Sequence, residues 1–224
     1  MKANDIINLL ETSSIISKDD VSLVILGGSR GCGCDDAESD YDFNFYFRDQ
    51  PKKWECCMNT YGFVKIDKHV VHWYSHPRDL TLINALPEIF YYSKMPLWLD
   101  ECFFPCDGIG QKYMYFLKRN NDSISLYFLK KLFDSSENKS NNRVKNFINS
   151  PLFSPKWYYG FMLLANHFGL SNYSREEVLE CKVERTPPIK TKDGLEGVER
   201  LKEFVTCQSF DFSFLLEENK IWKQ

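Results

Sequence analysis

Asp40 and Asp42 stand two residues apart, and ten residues separate them from Ser29 in the turn Gly27-Gly28-Ser29-Arg30. On an extended strand alternate side chains share a face, so the two carboxylates aim at one region. Like charges held that close repel, and a divalent cation relieves the repulsion. All-oxygen donors suit Mg²⁺, which keeps several waters and takes phosphate oxygens in its remaining positions. The upstream turn fits the same chemistry. Gly28 lets the main chain approach a phosphate closely, Ser29 offers a hydroxyl and Arg30 a cation.

A third polar group follows in the run Val70-Val71-His72-Trp73-Tyr74. An imidazole changes charge near neutral pH, so His72 is a candidate base or weak metal ligand as well as an ordinary half-buried strand histidine. His69 and His72 are an odd number of residues apart and fall on opposite faces of a strand, which argues against a joint zinc site. Cys32, Cys34, Cys56, Cys57, Cys102 and Cys106 lack the paired spacing of zinc ligands and are expected to be reduced and structural.

These residues need a strand on either side of the turn. Val21 to Leu26 is a β-branched, apolar run that ends at glycine, the pattern of a buried strand delivering a loop. Tyr41 to Phe47 alternates, predicting a strand with one aromatic face toward a core. Residues 61–66 and 69–74 predict two more strands, with Asp67-Lys68 as the turn between them. If those runs were instead one strand from 64 to 74, Asp67 would be the carboxylate nearest to the site. Ile6, Ile7, Leu9 and Leu10 predict a short N-terminal helix capped by Asn4 or Asp5. From Leu80 onward apolar positions recur at helical spacing, interrupted by a polar connection at 134–142 and by Pro187-Pro188.

A glycine-serine turn joined at this spacing to Asp-x-Asp resembles the signature of the DNA polymerase β-like nucleotidyltransferase superfamily, over about residues 20–75. The layout is similar to that of small bacterial aminoglycoside and lincosamide nucleotidyltransferases. The resemblance implies an α/β fold: a small mixed β-sheet nucleotidyltransferase domain over residues 1–105, then a mainly helical C-terminal domain over 106–224. It implies that Gly28, Ser29 and Arg30 contact the nucleotide and that Asp40 and Asp42 are catalytic ligands of Mg²⁺. The implied reaction moves a nucleoside monophosphate from an NTP to a hydroxyl of a small-molecule, antibiotic-like acceptor and releases pyrophosphate; a protein side chain or an RNA end are alternative acceptors. Members usually carry a third carboxylate, often the general base, on a following strand. Here His72 stands in that strand, so it is the candidate catalytic base. The same departure suits a second reading, an antitoxin-like or interaction module of this fold that modifies or binds a protein partner.

Composition narrows the alternatives. The 224 residues are 43% hydrophobic and 26% charged, values of an ordinary globular chain. Aromatic residues reach 16% and must fill a core or line a groove for flat ligands. Net charge is −3, with 10 Lys and Arg against 17 Asp and Glu in residues 1–110 and 18 against 14 thereafter. An acidic first half argues against long nucleic acid as a partner. Asp5 and Glu11 interrupt the first apolar stretch, and no apolar span approaches membrane length. A soluble, cytoplasmic protein without a membrane partner is therefore expected.

Overall fold

The computed structural model describes residues 2–13, 16–47, 61–76, 100–137, 155–183 and 192–222. Helix α1 (Ala3–Thr12) leads into strand β1 (Val21–Gly27), followed directly by a one-turn helix α2 (Gly28–Gly31) and then β2 (Tyr41–Phe47). Strands β3 (Tyr61–Ile66) and β4 (His69–His76) come next. A 3-10 turn at Asp100–Cys102 runs into β5 (Phe103–Pro105). Six helices complete the described chain: α3 (Gly108–Arg119), α4 (Asn121–Glu137), α5 (Pro155–His167), α6 (Arg175–Val183), α7 (Lys192–Cys207) and α8 (Leu215–Trp222). The fold is mixed α/β. None of the described helices is long and apolar enough to cross a membrane.

The sheet has the order β3-β4-β2-β1-β5. β1 runs antiparallel to both β2 and β5, β3 is antiparallel to β4, and β2 pairs parallel with β4. All seven residues of β1 are buried, as its unbroken apolar run requires of a strand covered on both faces. On one face α1 lays Ile6, Ile7 and Leu10 against Val24, Leu26, Tyr41, Phe43, Phe45 and Val71. On the other, Leu23, Ile25, Tyr46 and Phe103 join a core with Phe116, Leu117, Ile124, Leu129, Phe161 and Leu164 of helices α3, α4 and α5. The sheet is thus packed on both faces, against α1 on one and against the later helices on the other.

Several local expectations change. The α1 helix starts at Ala3 with Lys2 at its cap position, and Asp5 accepts a hydrogen bond from the Lys2 main-chain N–H at 3.0 Å, so neither Asn4 nor Asp5 is the cap. β2 buries residues of both faces: Asn44 is 0% and Tyr46 1% exposed, and Tyr46 packs in the core with the helices on the side that alternation alone leaves to water. α4 runs on through Glu137, so the first part of the 134–142 segment is helical; Asp134, Ser135 and Ser136 do not stop a helix already held by Leu129 and Phe133 in the core. The turn Asp67-Lys68 forms, with Ile66 opposite His69 and Asp67 at φ +53°, a conformation that a short polar side chain tolerates. Residues 80–99 at the start of the expected helical half, residues 138–142, Pro187-Pro188 and the pair Cys56-Cys57 lie outside the described residues.

Helix α3 is tied to the sheet at its first turn. Asp107 caps it by accepting from the Gly110 N–H at 2.7 Å, and its other oxygen accepts from the buried Ser22 hydroxyl of β1 at 2.9 Å. Gly110 is required there. A Cβ would fall 2.7 Å from the Ser22 carbonyl carbon and closer still to its oxygen.

Candidate functional site

Four strands set one row across the sheet. Gly27 of β1 pairs with Asp42 of β2, Asp42 with His72 of β4, and His72 with Phe63 of β3. Neighbouring residues in such a row project to the same face, so carboxylate, imidazole and phenyl follow one another in register. His72 lies 6.3 Å from Phe63, ring centroid to centroid. Asp40 precedes β2 by one residue and brings its Oδ2 to 3.8 Å from His72 Nε2. The Asp40 side chain is 46% exposed and that of His72 21%, so the group opens to solvent at the Asp40 end.

The turn closes against the same row. Gly28 adopts φ +64°, a conformation in which a side chain is strained, and a Cβ there would stand 2.9 Å from Cγ of Asp42 and nearer to Oδ2. Only glycine lets the α2 turn and the Asp42 carboxylate come this close. The turn is held by its own main chain: the Cys32 N–H donates to the Gly28 carbonyl at 3.1 Å and the Cys34 N–H to the Ser29 carbonyl at 3.0 Å. Cys32 and Cys34 are buried with their sulfurs 2.8 Å apart, and they pack with Tyr159, Met162 and Val178 of the helical half. Ser29 is half-buried beside Gly28.

Arg30 points elsewhere. Its Nη1 donates to Asp35 Oδ2 at 3.0 Å, and its Nη2 to the Ser39 carbonyl at 2.7 Å and the Asp36 carbonyl at 3.4 Å. The guanidinium lies 4.0 Å over the Tyr41 ring, a cation–π contact. Tyr41 belongs to the α1 face of β2, opposite Asp42, so in this geometry Arg30 braces the loop between α2 and β2. A second arginine, from a distant part of the chain, completes the brace. Arg175 of α6 donates through Nε to the Gly33 carbonyl and through Nη2 to Asp35 Oδ1 at 3.3 Å. Asp35 therefore sits between two guanidinium groups.

Sequence reasoning missed the contact of Arg175 with Asp35 and the place of Phe63 beside His72. Nothing in the spacing marks Arg175. Phe63 was legible in principle, since the Asp67-Lys68 turn sets its register against His72. His69 turns away, as expected, and stands edge-on to Tyr41 at 5.4 Å on the opposite face. Among the aromatic residues, Tyr159 is 2% exposed and packs in the core.

Two carboxylates on one face, with a glycine pressed against one of them, are oxygen donors with open sides, and this fits Mg²⁺. The third neighbour is a nitrogen, which a hard cation favours less. Among the described residues no group of three or more His, Cys, Asp or Glu converges as a metal site. The segment from Asp35 to Asp42, with Asp36, Glu38 and Asp40 between, also concentrates negative charge that attracts cations and repels bare phosphate.

No family model matches the chain, and no curated protein matches it.

Proposed function

We propose that the protein is a nucleotidyltransferase that moves a nucleoside monophosphate from an NTP to a hydroxyl of a small-molecule, antibiotic-like acceptor. The carrying observation is the row Gly27, Asp42, His72, with Gly28 pressed on the Asp42 carboxylate and Asp40 beside His72. In this reading residues 1–105 form the catalytic domain, and the helices of 106–224 cover it in a cytoplasmic enzyme.

Asp40 and Asp42 would hold the Mg²⁺ of a Mg²⁺–NTP. When bound, the ion supplies charge neutralisation for the triphosphate and for the leaving pyrophosphate. Gly28, lacking a side chain, lets the turn press against the Asp42 carboxylate, and the Ser29 hydroxyl would donate to phosphate oxygens of a nucleotide bound beside it. His72 accepts the acceptor's hydroxyl proton at a ring nitrogen as oxygen attacks the α-phosphorus and the bond to the β-phosphate breaks. Arg30 and Arg175 act on the loop rather than the nucleotide. They hold the segment between Gly33 and Asp40, so both aspartates arrive in position before ligand binds, which lowers the cost of ordering them.

The experiment is incubation with Mg²⁺ and each labelled NTP against a panel of aminoglycosides, lincosamides, tRNA and the protein itself, scored for pyrophosphate release and a labelled acceptor. A labelled small molecule is expected. Absence of pyrophosphate with every NTP and acceptor would sink the enzyme reading. One observation favours the interaction-module reading: His72 stands where the resemblance expects a carboxylate. Nucleotide binding without turnover, together with a stable protein complex, would support that alternative.

A further inference from the structure

We propose that the protein has a second ligand site, a pocket behind the α2–β2 loop that takes a small organic acid, a carboxylate on an aliphatic body. The pocket has a volume of about 820 Å³, within the roughly 300–1,000 Å³ of sites that hold small molecules. Gly28, Ser29, Asp40, Asp42 and His72 have no part among the described residues that line it. Leu26 and Tyr41 do line it, and both belong to the α1 face of the sheet, opposite Asp42. The site is therefore distinct from the carboxylate row and calls on no nucleotide chemistry.

Its lining combines charge with apolar surface. Leu26 of β1, Phe104 of β5 and Leu163 of α5 supply the apolar part. An inorganic anion would leave that surface wet, whereas an aliphatic body covers it and gains the free energy of burial. Three cations, Lys2, Arg30 and Arg175, line the pocket with two carboxylates, Asp35 and Glu101. Asp35 is shared by both guanidinium groups, at 3.0 and 3.3 Å, so one positive charge is left over around it. Arg175 is the donor best placed for a ligand. Its side chain is 50% exposed, Nε and Nη2 are spent on Gly33 and Asp35, and Nη1 has no partner among the described residues. Lys2 is exposed and has no ion pair among the described residues. Glu101 is exposed as well and leaves the lining positive on balance, while His167, also in the lining, is engaged by Asp122 at 2.8 Å. A carboxylate accepting from Arg175 makes a charge-assisted hydrogen bond, and an ammonium group there would add a fourth cation. Gly33 and Asp35 belong to the same lining, so the bound acid touches the loop that runs on to Asp40.

The test titrates hexanoate, acetate and hexylamine into the isotope-labelled full chain without metal or nucleotide, and follows the amide resonances by NMR. Hexanoate is expected to shift Gly33, Asp35 and Asn166, all of which line the pocket. It should bind about tenfold more tightly than acetate, because its longer chain reaches the apolar surface, and by a similar factor more tightly than hexylamine, which carries the wrong charge. The double variant Lys2→Gln, Arg175→Gln should cut hexanoate affinity about tenfold. Both side chains are exposed enough for circular dichroism to stay unchanged, and Lys2→Gln alone, outside the Asp35 contact, should weaken hexanoate in the same direction. Equal affinity for hexanoate and hexylamine, or for hexanoate and acetate, overturns the proposal. So does hexanoate binding that survives the double variant, or shifts confined to residues outside the pocket. Since no nucleotide takes part, a negative result leaves the nucleotidyltransferase reading standing, and failure of that reading leaves the pocket.

Discussion

Gly28 and Asp42 occupy space that a single methyl group would destroy: with φ at +64°, the missing Cβ of Gly28 points into the Asp42 carboxylate. Gly28→Ala is therefore expected to act twice. The left-handed backbone costs roughly 1–2 kcal/mol for a residue with a Cβ, and the overlap pushes Asp42 off its position. Thermal denaturation and Mg²⁺–ATP calorimetry should both register the change, with affinity per folded molecule falling as well as Tm. Wild-type nucleotide affinity in the variant would separate the turn from the site.

Asp40→Asn with Asp42→Asn should abolish measurable Mg²⁺–ATP binding while leaving circular dichroism unchanged. The double variant keeps the shape of both side chains and removes two charges from a half-exposed site, so the fold loses little and the cation loses its counter-charges. Calorimetry at fixed Mg²⁺ checks this, and unchanged binding would refute the assignment of either residue as a metal ligand.

Asp35→Ala should loosen the segment that delivers Asp40. It removes the acceptor shared by Arg30 at 3.0 Å and Arg175 at 3.3 Å, and leaves the less exposed of the two guanidinium groups short of a partner. A cost of about 1–3 kcal/mol is expected. Hydrogen exchange should rise in residues 33–40 and at the start of α6 together, because one carboxylate joins both. Protection lost in only one of the two segments would mean that the brace does not couple them.

The described cysteines should divide sharply in reactivity. Burial pushes the Cys102 thiol up to about 12 and, with smaller effects from neighbouring charges, the Cys106 thiol up to about 11. Cys207 is exposed. Iodoacetamide at pH 8 should modify Cys207 and spare Cys102 and Cys106 until the protein unfolds, as peptide mass mapping will show. The folded state holds both buried protons above the ordinary thiol value of 9.0, so the stability they contribute is complete below pH 9 and is lost as pH rises through 11 and 12. Denaturation midpoints should fall over that window, and Cys102→Ser should flatten part of the slope.

Much of the local structure is written in the chain. The apolar run of β1, the alternation of β2, the Asp67-Lys68 turn and the long amphipathic helices follow from periods of 2.0 and 3.6, which neighbouring residues impose on each other. The Gly-Ser and Asp-x-Asp pair was legible for the same reason, since a turn and a strand a few residues apart carry it. The three-residue β5 has too few positions to show a period, and the complete burial of Asn44 is not legible in a polar position of an alternating strand. What tertiary structure alone decided is who stands beside whom. The β3–β4 hairpin could have paired with β2 through either strand, and pairing through β4, parallel, set His72 next to Asp42 and Phe63 one place beyond. Arg30 meets Asp35 five residues on, and Arg175, 140 residues from Asp35, reaches the same carboxylate. Such contacts depend on loop closure and on the packing of whole faces, energies that no short window of sequence contains.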